Sequence, residues 1–120
     1  MYRLLQMAED EIVREYRLHR DVYHVGRNPG NDLQTDDAGV SGSHARIRVV
    51  PSPNSLRRHD VTIEDLGTSS GTRVNGRRIT RARLRHGDLL RLGALVLQFV
   101  DDQAAPAEQR RISVLEDQSC

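Results

Sequence analysis

Three short clusters of residues carry groups that could bind an oxyanion. They occupy residues 25–27, 40–45 and 65–76, and they offer Arg27, several hydroxyls and many backbone amides, with Asp65 as their one carboxylate. A guanidinium can form two charged hydrogen bonds to a phosphate, while hydroxyls and loop amides fill the remaining lone pairs. These residue types therefore predict a phosphate-binding site.

The flanking sequence predicts a β-scaffold that holds these clusters as loops. Each cluster is rich in Gly, Ser, Thr or Asn and lies beside apolar β-forming residues, which is typical of loops at strand ends. Residues 2–7 and 12–18 are expected to form a hairpin, although residues 9–20 could alternatively form an amphipathic helix. Strands are favoured because short apolar runs broken by turn residues continue along the chain, as in all-β domains.

The order of strands and turns predicts which loops lie together. Ala45, Ile47 and Val49 alternate with polar residues, so 45–50 reads as a half-buried strand, and the Pro-rich stretch 51–55 reverses the chain. That reversal lies one strand length from the loop around Ser41. The loops around Ser41 and Ser69 should therefore lie at the same end of the domain.

Length and composition predict one all-β domain over residues 1–101 and a mostly disordered, flexible tail over residues 102–120. A chain of 120 residues can build a genuine core, while the tail is dominated by Ala, Gln, Pro and charged residues. The lone Cys120 and the absence of a long apolar run near the N-terminus favour a cytoplasmic setting, with neither a signal peptide nor a membrane span.

Enzymatic and metal chemistry are disfavoured. Ser41, His44 and Asp65 could suggest a catalytic triad, but Ser-x-x-His forms a loop here, without a nucleophile elbow or a recognisable oxyanion hole. The five His are scattered and no Cys/His pair has metal-ligand spacing. Neither a catalytic activity nor a metal or other cofactor is expected.

Nucleic-acid binding is an alternative raised by the densest basic cluster, which consists of Arg77, Arg78, Arg81, Arg83 and Arg85. Strand alternation would scatter these arginines over different faces, no reading helix is evident, and the net charge is only +1. Aromatic residues make up only 3% of the chain, too few for base-stacking platforms. The cluster is therefore a weak indication of nucleic-acid binding.

Five motifs occur in order between about residues 2 and 100. They are Gly26-Arg27, Asn31-Asp32-Leu33, Val-Ser-x-x-His-Ala, Asp-Leu-Gly-x-x-x-Gly-Thr-x-Val-Asn-Gly, and Leu84-x-x-Gly87-Asp88-x-x-x-Leu92-Gly93. In this order and spacing the sequence resembles a forkhead-associated (FHA) domain. The resemblance implies a non-catalytic, two-sheet β-sandwich that binds phosphothreonine peptides. The expected partner is a phosphothreonine-containing protein, a Ser/Thr kinase or its substrate, and the Arg-only basic composition fits a bacterial source.

The resemblance also assigns roles to individual residues. Arg27 and Ser41 would contact the phosphate, Ser69 would add a hydroxyl, and Gly42 would offer only its amide. Ser70 stands where relatives carry an Asn that holds the backbone of the bound peptide. In the arginine-rich segment 77–85, the resemblance allows a wider basic field around an acidic phosphopeptide.

The departure at Ser70 weakens only part of the expected binding. Charged contacts to the phosphate are worth roughly 1.5–3 kcal/mol each, and the lost neutral hydrogen bonds roughly 0.5–1.5 kcal/mol each. Phosphate binding should therefore persist with lower affinity or altered register. The alternative is an FHA-like scaffold or oligomerisation domain that has lost phosphate dependence, which Ser70 and Gly42 favour.

Other residues near the clusters are expected to be structural, namely Gly26, His44, Gly71 and Asn75. For His44 the expected role is that of a buried imidazole that bonds to backbone groups and fixes two loops. Gly39 lies in the loop where relatives can carry an arginine that selects an acidic residue three places after the phosphothreonine. The sequence therefore does not specify the preferred peptide.

Overall fold

Every regular secondary-structure element among the described residues of the computed structural model is a β-strand. The structure describes residues 1–53 and 58–104, and within these ranges no helix is long and apolar enough to cross a membrane. The strands are β1 (Tyr2–Ala8), β2 (Glu11–Leu18), β3 (Val22–Gly26), β4 (Leu33–Gln34), β5 (Ala45–Pro51), β6 (His59–Asp65), β7 (Thr72–Val74), β8 (Arg77–Ile79), β9 (Arg81–Arg83), β10 (Leu89–Leu92) and β11 (Leu95–Asp101). The predicted all-β class is confirmed.

The strands form two sheets. One has six strands in the order β2-β1-β11-β10-β7-β8, and the other has five in the order β4-β3-β5-β6-β9. Neighbouring strands are antiparallel except β3 and β4, which pair in parallel. One cluster of buried side chains joins the two sheets, so the predicted two-sheet sandwich is confirmed.

The core follows the alternation visible in the sequence. Ala45, Ile47 and Val49 are buried on β5. They share the core with fully buried residues of the other sheet, including Leu97 and Phe99 on β11. Burying a side chain of this size contributes roughly 1.5–3 kcal/mol relative to leaving it in water.

The strand register places the polar clusters at one end of the sandwich. Ala45 at the start of β5 pairs with both Val25 near the end of β3 and Asp65 at the end of β6. At the other end of β5, Pro51 pairs with His59. The loops that follow β3, precede β5 and follow β6 therefore leave together, which confirms the predicted arrangement. Of the reversal predicted at residues 51–55, residues 54 and 55 lie outside the described residues.

The arginine-rich segment 77–85 is divided between the sheets. Arg77 and Arg78 lie on β8 of the six-stranded sheet, whereas Arg81 and Arg83 lie on β9 of the five-stranded sheet. The cluster therefore does not form one basic surface, in agreement with the scattering expected from strand alternation.

The first and last strands of the domain lie side by side. Tyr2 pairs with Asp101, and the amide of Asp102 donates to the carbonyl of Met1 (3.0 Å). The predicted tail over residues 102–120 is described only as far as Ala104, and the rest of it lies outside the described residues. The boundary between residues 101 and 102 stays a prediction.

The first two strands form the predicted hairpin, with Glu9 and Asp10 as its two-residue turn. Both residues have positive φ, 52° and 65°, the combination that a type I′ turn requires and that favours Asn-Gly. The chain uses Asn75-Gly76 for the equivalent turn between β7 and β8, with φ values of 51° and 84°. The first turn therefore carries strain that the second avoids.

We expect the double variant Glu9→Asn/Asp10→Gly to raise the free energy of unfolding by about 1 kcal/mol, because Asn followed by Gly adopts two positive φ angles at a lower cost than Glu followed by Asp. Urea denaturation monitored by circular dichroism measures this change. Asn75→Ala is the opposite control and should lower stability. A less stable double variant would contradict the left-handed turn.

Candidate functional site

Arg27 begins the loop after β3 and is fixed by the loop that carries Ser41. The Arg27 amide donates to the carbonyl of Ser41 (3.0 Å), and its Nε donates to the carbonyl of Val40. Its terminal nitrogens Nη1 and Nη2 make no hydrogen bond within residues 1–53 and 58–104. The guanidinium is thus oriented at one nitrogen and open to an anion at the other two.

Gly26 allows the end of β3 to approach the Ser41 loop closely. A Cβ at Gly26 would lie 2.3 Å from the carbonyl oxygen of Gly42, a distance that backbone atoms cannot relieve without moving. The same carbonyl accepts hydrogen bonds from the Asn28 amide (3.1 Å) and from Nδ2 of Asn31 (2.7 Å). The absence of a side chain at Gly26 therefore allows the loop after β3 to approach the loop before β5 closely enough for both hydrogen bonds to the Gly42 carbonyl.

His44 joins the loops from its fully buried position. The Ser41 amide donates to Nδ1 of His44 (3.0 Å), so Nε2 must carry the proton in a neutral ring, and it lies 3.0 Å from the carbonyl oxygen of Gly71. One imidazole thereby accepts from the Ser41 loop and donates to the loop after β6. The geometry matches the structural role expected from the sequence.

Asp65 organises the loop after β6 from the end of that strand. Its Oδ1 accepts hydrogen bonds from the hydroxyls of Thr68 (2.6 Å) and Thr72 (2.9 Å). Its Oδ2 accepts from the amides of Gly67 and Thr68, both at 2.9 Å. Burial acts to raise the pKa of Asp65, but the hydrogen bonds from Thr68, Thr72 and Gly67 outweigh it and hold that pKa below its ordinary value.

Arg78 covers the outer side of this loop. Its Nη2 donates to the carbonyls of Thr68 (3.2 Å) and Ser69 (3.3 Å). Gly71 has φ of 79°, and a Cβ there would lie 2.6 Å from Nε of Arg78. The exposed Ser69 side chain makes no hydrogen bond within the described part of the chain, so its hydroxyl is open to a ligand.

Ser70 ties the same loop to the segment before β5. Its hydroxyl donates to the carbonyl of Gly39 (2.9 Å). This bond uses the only donor that the side chain has, so Ser70 could meet a bound peptide only as an acceptor. Ser70 thus differs from an Asn, whose amide offers two donors and an acceptor.

Gly42 leaves room that the side chain of Asn28 occupies. A Cβ at Gly42 would lie 2.8 Å from Oδ1 and 2.9 Å from Nδ2 of Asn28. The side-chain amide of Asn28 makes no hydrogen bond within residues 1–53 and 58–104. An open donor thus lies where a side chain at residue 42 would otherwise project.

The structure brings most of the predicted site residues to one end of the sandwich: Arg27, Ser41, Gly42, Ser69 and Ser70, with Gly26, His44 and Gly71 holding their loops. Asn75 lies elsewhere, in the turn at the opposite end of β7, where its amide donates to Asp88 (2.9 Å). The sequence did not identify Asn28 or Arg78 as parts of this end. Their positions depend on contacts between separate loops, for which the sequence offers no local signal.

The chain is similar to known FHA domains in sequence. The family description "FHA domain" matches residues 23–93. The glycogen accumulation regulator GarA of Mycobacterium tuberculosis is 31% identical over 85 residues, which cover 71% of this chain and 48% of GarA. The chain therefore spans about half the length of the curated relatives it matches.

Solved structures agree with this similarity. The FHA domain of the CT664 protein from Chlamydia trachomatis has a TM-score of 0.72 at 31% identity, covering 83% of this chain and 96% of that one. A structure from a study of phosphothreonine-dependent FHA domain interactions has a TM-score of 0.72 at 25% identity, covering 86% and 98%.

We expect His44→Ala to lower the free energy of unfolding by about 2–4 kcal/mol, because it opens a buried cavity and leaves the Ser41 amide and the Gly71 carbonyl unpaired. Chemical denaturation measures the change. Ser43→Ala is the matched control on the exposed neighbour and should stay within about 0.5 kcal/mol of the wild type. A His44→Ala variant as stable as that control would contradict the role of His44 in joining the two loops.

Asp65→Asn should lower stability near neutral pH, because an amide nitrogen cannot accept the hydrogen bonds that one carboxylate oxygen receives. The depressed folded-state pKa means that the wild type holds this contribution above the ordinary value of 3.8 and loses it as the pH falls through the folded value. The stability gap between the two proteins should therefore narrow as the pH falls below that ordinary value of 3.8. Denaturation at several pH values tests this, and a constant gap would contradict it.

Proposed function

The chain belongs to the FHA domain family, and we propose that it binds phosphothreonine-containing segments of other proteins through the loops at this end. The observation that carries the proposal is the open pair of nitrogens on Arg27, held beside the Ser41 loop by a fixed Nε. An oriented guanidinium loses little entropy when it pairs with a phosphate.

The hydroxyls needed to complete a phosphate site are also open. Neither Ser41 nor Ser69 uses its hydroxyl in a hydrogen bond among the described residues. Their loops are joined through His44, which fixes the two sides of the site before any ligand arrives. Arg27 supplies the cationic contact, and Ser41, Ser69 and the Gly42 amide supply uncharged donors whose hydrogen bonds are strengthened by the charge of the phosphate.

Asn28 replaces the side chain that Gly42 lacks. Relatives with a larger residue at that position gain a second contact to the phosphate there. Here the Asn28 amide occupies this space with an open donor, and Nδ2 can point to a phosphate oxygen. The phosphate therefore keeps the number of ligands that Gly42 alone would reduce.

Ser70 makes the grip on the peptide backbone weaker than the grip on the phosphate. Its donor is used by the Gly39 carbonyl, so it offers the peptide fewer hydrogen bonds than an Asn would. Charged contacts are worth roughly 1.5–3 kcal/mol and neutral ones roughly 0.5–1.5 kcal/mol. Affinity should therefore depend mainly on the phosphate.

The site fits an interaction module rather than an enzyme. The partner is a phosphorylated Ser/Thr kinase or one of its substrates, and the module serves in kinase signalling in the cytoplasm, where ATP-dependent kinases act. Two relatives support this role: GarA is named as a regulator, and one solved structure comes from a study of phosphothreonine-dependent FHA domain interactions.

We expect Arg27→Ala and Ser41→Ala each to weaken binding of a phosphothreonine peptide library at least about tenfold, with little change in melting temperature, because a charge-assisted contact is worth roughly 1.5–3 kcal/mol. Fluorescence polarisation against the phosphorylated library and its unphosphorylated copy measures the effect. Arg48→Ala, an exposed arginine of the five-stranded sheet, is the charge-matched control and should bind as the wild type does.

Full phosphopeptide affinity in Arg27→Ala would show that the phosphate binds elsewhere. Equal binding of the phosphorylated and unphosphorylated libraries by the wild type would instead support a phosphate-independent scaffold or oligomerisation domain.

We expect Ser70→Asn to bind phosphothreonine peptides about threefold tighter or better, because an Asn restores hydrogen bonds of roughly 0.5–1.5 kcal/mol each to the peptide backbone. Ser70→Ala is the control, since it removes the bond to Gly39 without adding an amide. Isothermal titration of both variants separates the two effects. An Asn variant that binds no better than the Ala variant would show that this position does not reach the peptide.

A further inference from the structure

Three arginines form a straight row on the outer face of the six-stranded sheet. Arg91 on β10 lies opposite Arg73 on β7, and Arg73 lies opposite Arg78 on β8. The residues on both sides of Arg73, Thr72 and Val74, are buried, so Arg73 points outward. Strand alternation places the other two arginines on the same outer face.

No carboxylate neutralises this row among the described residues, in contrast to many other arginines of the domain. Like charges directly opposite each other on neighbouring strands are destabilising. The arginines that form ion pairs with Asp or Glu are Arg3, Arg20, Arg46, Arg58 and Arg83. The row therefore places three positive charges at facing positions on neighbouring strands, with no ion-pair partner among the described residues.

Each guanidinium of the row is held by a backbone carbonyl instead. Nη1 of Arg73 donates to Gly76 (3.2 Å), and Nε of Arg91 donates to Gly93 (3.2 Å). Nη2 of Arg78 donates to the loop after β6, as described above. These bonds limit the freedom of the side chains and leave the remaining nitrogens open, which lowers the entropic cost of binding an anion.

Both ends of the row border the loops of the candidate phosphate site. At one end Arg78 contacts the carbonyl of Ser69. At the other end Arg91 contacts Gly93, which lies against Gly39: a Cβ on Gly39 would be 3.1 Å from the Gly93 Cα. A ligand that leaves the phosphate site over this rim meets Arg78 and Arg91 first, while the Arg73 side chain reaches toward the Gly76 turn at the opposite end of β7.

We propose that Arg73, Arg78 and Arg91 form a second anion-binding surface, which takes an acidic segment next to the phosphothreonine of the same ligand. The acidic groups are Asp or Glu side chains or a second phosphate, since both are anions that a guanidinium pairs with in two-bond geometry. The inference rests on the proposed function and extends it from the phosphothreonine to its flanking sequence.

The dimensions of the row suit such a segment. Neighbouring strands lie about 4.8 Å apart, so three strands place the outer arginines about 10 Å apart. An extended peptide rises about 3.3 Å per residue, so about three residues span the row. Duplex nucleic acid fits less well, because this row is short and Arg81 and Arg83 of segment 77–85 lie on the other sheet.

The test compares peptides with and without acidic flanks on the full chain. One phosphothreonine peptide carries neutral flanks, two carry three Glu residues before or after the phosphothreonine, and one carries a second phosphorylated residue. Each is titrated against the wild type, the double variant Arg73→Gln/Arg91→Gln, and Arg48→Gln, which removes one charge from the other sheet. Unphosphorylated copies and a duplex DNA complete the set.

The wild type should bind at least one acidic peptide about fivefold tighter than the neutral one, and salt should reduce this preference. The double variant should lose the preference while its affinity for the neutral peptide stays within about twofold, and Arg48→Gln should keep it. A larger gain from Glu or from the second phosphate identifies the source of the anion, and either supports the proposal.

These titrations distinguish a failure of the proposed function from a failure of the row assignment. If the wild type binds the neutral phosphothreonine peptide no better than its unphosphorylated copy, the proposed function is overturned and the row assignment with it. If neutral binding depends on the phosphate but acidic flanks add nothing, or their gain survives in the double variant, only the row assignment is overturned. Duplex DNA binding that the double variant loses, without any acidic-peptide preference, would assign the row to nucleic acid and also overturn the proposal.

Discussion

The candidate site depends on one neutral imidazole. His44 accepts a hydrogen bond from the Ser41 amide and donates one to the Gly71 carbonyl, so each ring nitrogen has a fixed role. A Lys or Arg could not accept, and a hydroxyl could not reach both loops. The backbone bond from the Leu66 amide to the His44 carbonyl (2.9 Å) and the bond from Ser70 to Gly39 join the same loops, and the His44 bridge to Gly71 spans 27 residues of sequence. Of these contacts, the two ring hydrogen bonds of His44 are made by a side chain that is fully buried, away from solvent and ligand.

A second layer of contacts shapes the loop after β6 from both sides. Asp65 gathers hydroxyls and amides on the inner side, while Arg78 holds two carbonyls on the outer side. The loop thus satisfies its polar groups internally and leaves the Ser69 hydroxyl as an open group. The loops at this end of the sandwich are rich in Gly, Ser and Thr, which favour turns. The contacts of Asp65 and Arg78 hold the loop after β6 in one conformation, so that it presents a defined surface.

Local patterns sufficed to predict the fold and the shared end of the loops. Alternation at Ala45, Ile47 and Val49 marked β5, and turn residues marked the reversals on both sides of it. The pairing of Asn28 with Gly42 was not predictable, because it depends on how two loops meet. The row of Arg73, Arg78 and Arg91 depends on strand register, and register between β7 and β10 joins residues that are far apart in sequence. The hydrogen bond from Ser70 to Gly39 was not predictable either, because it also joins residues that are far apart in sequence.

The pairing of Tyr2 with Asp101 brings the start of β1 and the end of β11 together. β11 begins beside the turn at Gly93, near the loops of the site, and ends at Asp101 at the far end of the sheet. The first strand therefore begins, and the last strand ends, at the end of the sandwich opposite the candidate site. Such a unit can be spliced between other domains, or permuted by joining its ends and cutting elsewhere, while the recognition end stays unobstructed.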